Sequence, residues 1–295
     1  MKDLFRNVYY KNHKKLFIIP IVILIIALIL LTVQAVTTGD IIQKDVSLKG
    51  GITATIYTQE EFPNLEQDLN NAFPENDLIV RTIKQFGSDT NIGVSVEISD
   101  VEQDELKDTL EQLMGLELTS EIYSVEIVGS SLGENFYKQM IVAIILAFVF
   151  MAIVVFITFR MWIPSVTVVF AAFADLTITM AILNLASIRL STAGIAALLL
   201  LIGYSIDTNI LLTTRVLKNR EGTILEGIKS SMKTGLTMSL TTIIASSVAF
   251  FVSTSLVLKQ MFLIIIIGLL IDILITYGMN AGVLIWFAKK KRGLE

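Results

Sequence analysis

The chain has 295 residues, 54% of them hydrophobic, and its 23 Lys and Arg against 27 Asp and Glu leave a formal charge of −4. A mean hydropathy of +0.71 and several apolar runs longer than the roughly 20 residues that span a bilayer mark a membrane protein and argue against a soluble enzyme. There is no Cys, which excludes disulfides and thiol chemistry, and the single His13 lies among Lys11, Lys14 and Lys15, where it reads as an interfacial residue.

Leu16 to Val36 is the first span, preceded by Arg6, Lys11, Lys14 and Lys15. Val33-Gln34-Ala35 faintly resembles a cleavage site, but the run exceeds the roughly 7–15 apolar residues of a signal peptide, so an uncleaved anchor is expected. From Thr37 to Lys138 the chain holds 20 of its 27 acids and alternates strand and helix patterns. A strand is expected over Val46–Tyr57, interrupted at Gly50-Gly51, then a helix over Glu60–Phe73 with Leu65, Leu69 and Phe73 on one face. Pro74 to Asp77 reads as a turn, and Leu78–Phe86 and Asn91–Ile98 as strands joined by Gly87-Ser88-Asp89. Asp100 is expected to cap a second helix over Val101–Met114, with Leu106, Leu110 and Leu113 as its stripe, before a last strand at Tyr123–Val128. The order β-α-β-β-α-β is the ferredoxin-like split unit, and about 100 residues can bury a core without staples.

Five more spans follow: Gln139–Phe159, Pro164–Ala186, Ala193–Thr213, Thr234–Leu256 and Met261–Phe287. Arg160 to Ile163 is a tight turn, and Pro164 suits the first turn of the next helix. The expected fold is a membrane α-helical bundle of six transmembrane helices with an α+β ferredoxin-like domain inserted between helices 1 and 2. Residues 1–36 form the N-terminus and helix 1, 37–138 the inserted domain, 139–288 helices 2–6 and 289–295 a basic tail. Six spans put both termini on one side, which carries 15 of the 23 Lys and Arg, so that side is expected to be cytoplasmic and the acidic domain extracytoplasmic. No P-loop pattern is present, the inserted domain lacks His and Cys, and its acids lie on solvated faces. No catalytic site, metal or cofactor is therefore expected, nor an ATPase within the chain.

Asp175, Asp207 and Asp272 are intramembrane, and no Lys, Arg or His lies well inside a span to pair with them. Asp207 stands about seven residues, or roughly 10 Å, from the inner end of its span, where a carboxylate costs roughly 2.5–3.5 kcal/mol. Such an acid either hydrogen-bonds helices together, worth only about 0.6 kcal/mol on average, or exchanges a proton. Ser205, Thr208 and Asn209 beside Asp207 favour the second role there; for Asp175 and Asp272 both stay open. Gly203 and Ser205 either bend the helix, as in discontinuous transporter helices, or make a close contact in a straight one. Thr237, Thr241 and Thr242, with Gly235, Ser239, Ser246 and Ser247, read as close-packing surfaces. Lys49-Gly50-Gly51 is too short a signal for a phosphate cradle and marks a bulge or close backbone approach.

One span, a ferredoxin-like domain and five closely spaced spans resemble, over essentially the whole chain, the SecF family of protein-export membrane proteins. Leu48-Lys49-Gly50-Gly51 is similar to the Lys-Gly-Gly signature that opens the family's outer domain. Residues 203–219 are similar to its Gly-Tyr-Ser segment, which ends in an Arg, here Arg215. Ala174-Asp175, and Asp272 with Thr276-Tyr277, resemble its third-span and last-span patterns. There are departures, which point to a divergent, archaeal-type member. Asp207 stands where many bacterial members have Asn, Thr208 takes the place of their acid, and Thr214 and Ser47 replace two further acids. The one-residue shift turns the side chain about 100° around the helix.

The resemblance implies a SecD-like subunit and the Sec translocation channel as partners, contact with a translocating polypeptide and membrane lipids, no nucleic acid and no cofactor. It also implies a proton relay at Asp207, with Asp175 or Asp272, supported by Gly203, Tyr204, Ser205, Thr208, Asn209 and Arg215. Two alternatives stand beside this: a proton-driven exporter of small molecules or lipids from the same wider class, and an assembly scaffold without ion coupling. The compact outer domain weakens the exporter reading.

Overall fold

A computed structural model describes residues 13–84, 90–218 and 223–292. Among them six helices are long and apolar enough to cross a membrane. The Gly87-Ser88-Asp89 turn and the basic residues Arg6, Lys11 and Arg220 lie outside the described residues.

Helix α1 (His13–Thr38) leads into a single helical turn, α2 (Val46–Lys49), which the sequence pattern assigns to a strand. Asp45 explains the difference: its Oδ1 accepts from the Ser47 N–H at 2.9 Å and caps the turn, so pairing starts only at β1 (Gly51–Ile56). Then come α3 (Leu65–Ala72), β2 (Leu78–Lys84), β3 (Asn91–Ile98), α4 (Gln103–Met114) and β4 (Tyr123–Val128). Asp100 does not cap α4: its φ of 58° sets it in a left-handed turn, and Glu102 holds the cap position.

The sheet order is β2-β3-β1-β4 with every pair antiparallel, as in the ferredoxin-like unit. Alternation along the strands makes two faces. Ile52, Ala54, Ile56, Val94, Val96 and Ile98 pack under Leu65, Leu69 and Phe73 of α3 and Leu106, Leu110 and Met114 of α4. The other face carries Thr53, Thr55, Ser95 and Glu97 and looks across a polar cleft of about 410 Å³ onto Thr192, Ser255 and Gln260 at the ends of bundle helices.

Helix α5 (Ser130–Phe159) begins well before the expected span. It is followed by α6 (Trp162–Leu185), α7 (Thr192–Leu217), α8 (Ile224–Val252) and α9 (Leu256–Leu274). The last helix passes through a π-helical stretch, Ile275–Asn280, into α10 (Ala281–Arg292). Val168, Ala172 and Leu176 of α6 meet Leu198 and Leu201 of α7 and Ile264 and Leu269 of α9 in the bundle core. Leu24, Ala27 and Leu31 of α1 pack on Ala171, Ala174 and Ile178 of α6. Gly268 lets α9 lie against Leu201: a Cβ there would stand 2.3 Å from Leu201 Cδ2. Long stretches of α5 and α8, including Phe150, Ile157, Ile244 and Val248, stay exposed.

The domain is joined to the bundle at Gly50, whose φ is +94° and whose added Cβ would lie 2.4 Å from Ser130 Cα. Gly133 returns the approach, with an added Cβ 2.8 Å from Gly50 N. Both clashes are with backbone, so Gly50→Ala should cost well over the ~1 kcal/mol of an ordinary Gly→Ala change and sharply lower the thermal unfolding temperature in detergent. Gly115→Ala, at positive φ but with open space around it, is the milder control.

Candidate functional site

Three helices converge on one polar cluster inside the bundle. Helix α6 supplies Asp175, α7 supplies Ser205, Thr208, Asn209 and Thr213, and α9 with its π-helical continuation supplies Asp272, Thr276 and Asn280; all are buried. Ser205 and Thr208 share a face at i, i+3 spacing, which aims both hydroxyls across the helix contacts. Ser205 Oγ donates to Asp175 Oδ2 in a short hydrogen bond. Thr208 Oγ1 lies 2.9 and 3.1 Å from the two carboxyl oxygens of Asp272, and Thr276 Oγ1 donates to Asp272 Oδ1 at 3.0 Å. The two carboxyl groups are thus held next to one another by hydroxyls three residues apart on α7. Asp175 Oδ1 is buried without a partner, and among the described residues neither acid has an ion pair.

Below the carboxyl pair, Asn209 Nδ2 donates to the Ser205 carbonyl at 2.7 Å, and Asn280 Nδ2 donates to Asn209 Oδ1. The π-helical stretch widens the turn and brings Thr276 and Asn280 onto the same side as Asp272. Tyr277 points away to α8, where its hydroxyl donates to the Ser231 carbonyl at 3.2 Å. Gly235 makes room for it, since a Cβ there would fall 2.0 Å from the Tyr277 oxygen.

Asp207 is not in this cluster. It is exposed on α7, one turn after the equally exposed Gly203, beside which an added Cβ would meet nothing within 4 Å. The expected break at Gly203 is corrected, because α7 is α-helical throughout Thr192–Leu217; this agrees with the unbroken helix of the alternative, whose close contact is not made within this chain because Gly203 faces outward. Burial of Leu201, Ile202 and Ser205 on the opposite face outweighs the ~1 kcal/mol that glycine costs a helix. Tyr204 is half-buried against the core, and Arg215 Nη1 donates to the carbonyl and hydroxyl of Ser230, tying α7 to α8. Thr276 enters the sequence reading only as part of the last-span pattern and Asn280 not at all, although Asp272, Thr276 and Asn280 recur at helical spacing within an apolar run.

A second polar region lies where the inserted domain meets the bundle. Lys49 Nζ reaches Asp77 Oδ2 at 3.1 Å, and both terminal nitrogens of Arg189 bond the same carboxyl. Burial opposes ionisation of Asp77, but Arg189 and Lys49 outweigh it and hold its carboxyl below the usual range. Asp45 is the opposite case. Burial pushes its carboxyl up to about 6, with Glu97 adding repulsion, against the Ser47 hydrogen bonds and the Arg81 charge.

This architecture defines a polytopic membrane protein with a ferredoxin-like insertion and a buried carboxyl pair at the centre of its bundle. Residues 108–290 match the family described as protein export membrane protein SecD/SecF, C-terminal. The protein-export membrane protein SecF of Pyrococcus furiosus is 38% identical over 295 residues, which is 100% of this chain and 98% of that relative. The SecF of Methanocaldococcus jannaschii is 32% identical over 290 residues, 96% of this chain and 98% of the relative. Among solved structures, the crystal structure of SecDF from Thermus thermophilus has the same fold, with a TM-score of 0.72 at 20% identity over 94% of this chain. This chain spans 38% of that longer one. The chain belongs to the SecF family of protein-export membrane proteins.

Removing the Ser205 hydroxyl strands the buried Asp175 carboxyl, so Ser205→Ala should destabilise the bundle by about 1–3 kcal/mol, read as a lower unfolding temperature in detergent. Because the folded value of Asp45 is raised, the stability it contributes is full below 3.8 and is lost as pH rises through about 6. Asp77, held low, is ionised in both states across this window. Unfolding temperatures measured from pH 7 down to 5 should therefore rise more in the unmutated protein than in Asp45→Asn.

Proposed function

We propose that the chain is an accessory subunit of the Sec protein-export complex, which pairs with a SecD-like subunit and couples proton passage to movement of its outer domain as a polypeptide crosses the membrane. The observation that carries this reading is the Asp175–Asp272 pair, two buried carboxyls held by the Ser205 and Thr208 hydroxyls of α7, with no ion pair to either among the described residues. Two like charges at that separation in a low-dielectric site are prohibitive, so the pair holds a proton between its members. Such a proton also provides a hydrogen bond for Asp175 Oδ1, the oxygen that otherwise has none. Ser205 and Thr208 are the hydroxyls that hand a proton on and reorient as it moves.

The positive-inside rule supports cytoplasmic termini and an extracytoplasmic domain. Protons then reach the pair from the domain side. One charge crossing 100 mV releases roughly 2.3 kcal/mol, enough to shift a two-state equilibrium about fiftyfold.

Asp207 has a different place in this reading. An exposed carboxyl within a span needs a polar partner, and the face formed with Gly203 suits close approach by a transmembrane helix of the SecD-like subunit. Engagement of the channel and the emerging polypeptide falls to the outer domain.

Asp272→Asn, at normal protein level, should abolish the potential-dependent part of secretion while leaving the complex assembled. Asp207→Asn should instead reduce recovery of the SecD-like subunit by affinity purification. Unchanged secretion in Asp272→Asn would sink the proton role.

A further inference from the structure

The segment between α6 and α7, residues 186–191, is gripped from two sides. On the outer-domain side the Leu190 N–H donates to the Gln43 carbonyl at 2.7 Å, and the Asp45 N–H donates to the Leu190 carbonyl at 3.0 Å. Asn184 Nδ2 donates to the Ile41 carbonyl at 2.9 Å, and Arg189 holds Asp77 at the start of β2. The Thr192 N–H, at the first residue of α7, donates to Ser47 Oγ at 3.0 Å. Ser47 Oγ in turn donates to Asp45 Oδ1 at 2.6 Å. The outer domain thus supplies one of the caps of α7; the other is the chain's own Ser191, whose Oγ accepts from the Gly194 N–H at 3.0 Å.

The second grip comes from α9. Ser191 Oγ donates to Gln260 Oε1, and Gln260 Nε2 donates to the Arg189 carbonyl. Gln260 and Asp272 lie on the same helix, about 18 Å apart along its axis, and Thr192 and Ser205 lie about 20 Å apart on α7. The two helices that hold the carboxyl pair through Ser205, Thr208 and Asp272 are therefore tied together, and to the outer domain, at their domain-side ends. Beside this knot the sheet is separated from α7 and α9 by the cleft of about 410 Å³, so the domain has room to tilt about the knot.

We propose that Ser47 and Gln260 are positioning residues through which the state of the Asp175–Asp272 pair and the orientation of the outer domain determine one another. This rests on the reading of the pair as a working site, and it adds where the coupling passes. Ser47 transmits between the domain and α7, and Gln260 between α7 and α9. Ser47 accepts from the first N–H of α7 and Gln260 stands in the second turn of α9, so an axial or rotational shift of either helix at the pair bears on the knot.

The chain has no Cys, so two introduced cysteines are unique labelling sites. Asp68→Cys on α3 and Val252→Cys at the domain-side end of α8 are both exposed. Spin-label distances between them would be measured in the full chain in lipid nanodiscs, with and without Asp272→Asn. The shift expected from Asp272→Asn is on the order of 2 Å. That shift should be lost in Ser47→Ala and in Gln260→Ala and should return in Ser47→Thr, which keeps the hydroxyl. Persistence of the shift in both alanine variants, or no shift in any background, overturns the proposal. The readout involves neither a proton gradient nor an exported polypeptide, so it stands or falls separately from the secretion result.

Discussion

Two carboxyl groups share one apolar interior, and the rest of the bundle is arranged to make that tolerable. Asp175 and Asp272 come from different helices, and the hydroxyls of Ser205 and Thr208 come from a third, so α6, α7 and α9 must stay in mutual contact. The small residues follow from this requirement. Gly268 brings α9 onto Leu201, and Ala171 and Ala174 admit α1 against α6. The π-helical stretch from Ile275 to Asn280 relaxes the regular hydrogen-bond ladder where Thr276 and Asn280 join Asp272 in one cluster.

The inserted domain is seated by backbone and polar contacts beside the apolar anchors Ile42 and Leu48, which enter the bundle core. Gly50 and Gly133 allow main chain to touch main chain at the start of α5. Lys49 and Arg189 meet on Asp77, and Asp45 and Ser47 reach the end of α7. Polar joints of this kind have defined geometry but can exchange partners at low cost, whereas a packed core resists displacement. Such a joint suits the domain movement proposed above. The buried Ser95 and Glu97 on the sheet's helix-free face face the resulting cleft instead of a second apolar layer.

Much of this was legible in the amino-acid sequence. Span-length apolar runs, period-two strands and two amphipathic helices led to the bundle and the ferredoxin-like insertion without any long-range information. The carboxyl site was legible only in part. Asp207 stood out because it lies among Ser205, Thr208 and Asn209, but neighbours in sequence occupy different sides of a helix. Ser205, Thr208 and Asn209 turn inward at i, i+3 and i+4, while Asp207 falls between them on the outer face. Which side is inward depends on where α6 and α9 dock, and that cannot be read from α7 alone. The turn at Val46–Lys49 was hidden for a related reason: β-branched and apolar residues suit a strand, and a cap from Asp45 decided the local conformation. The knot at Arg189, Ser191 and Gln260 joins residues some 70 positions apart in sequence and carries no local signature.

Coupling through this site requires that Asp175 and Asp272 hold a proton between them at neutral pH. Isotope-edited infrared difference spectroscopy of the full chain in lipid bilayers, with labelled aspartate, tests this directly. A protonated carboxyl band at neutral pH that disappears in the Asp175→Asn, Asp272→Asn double variant is the predicted result. A spectrum in which both groups are carboxylates under those conditions would contradict it.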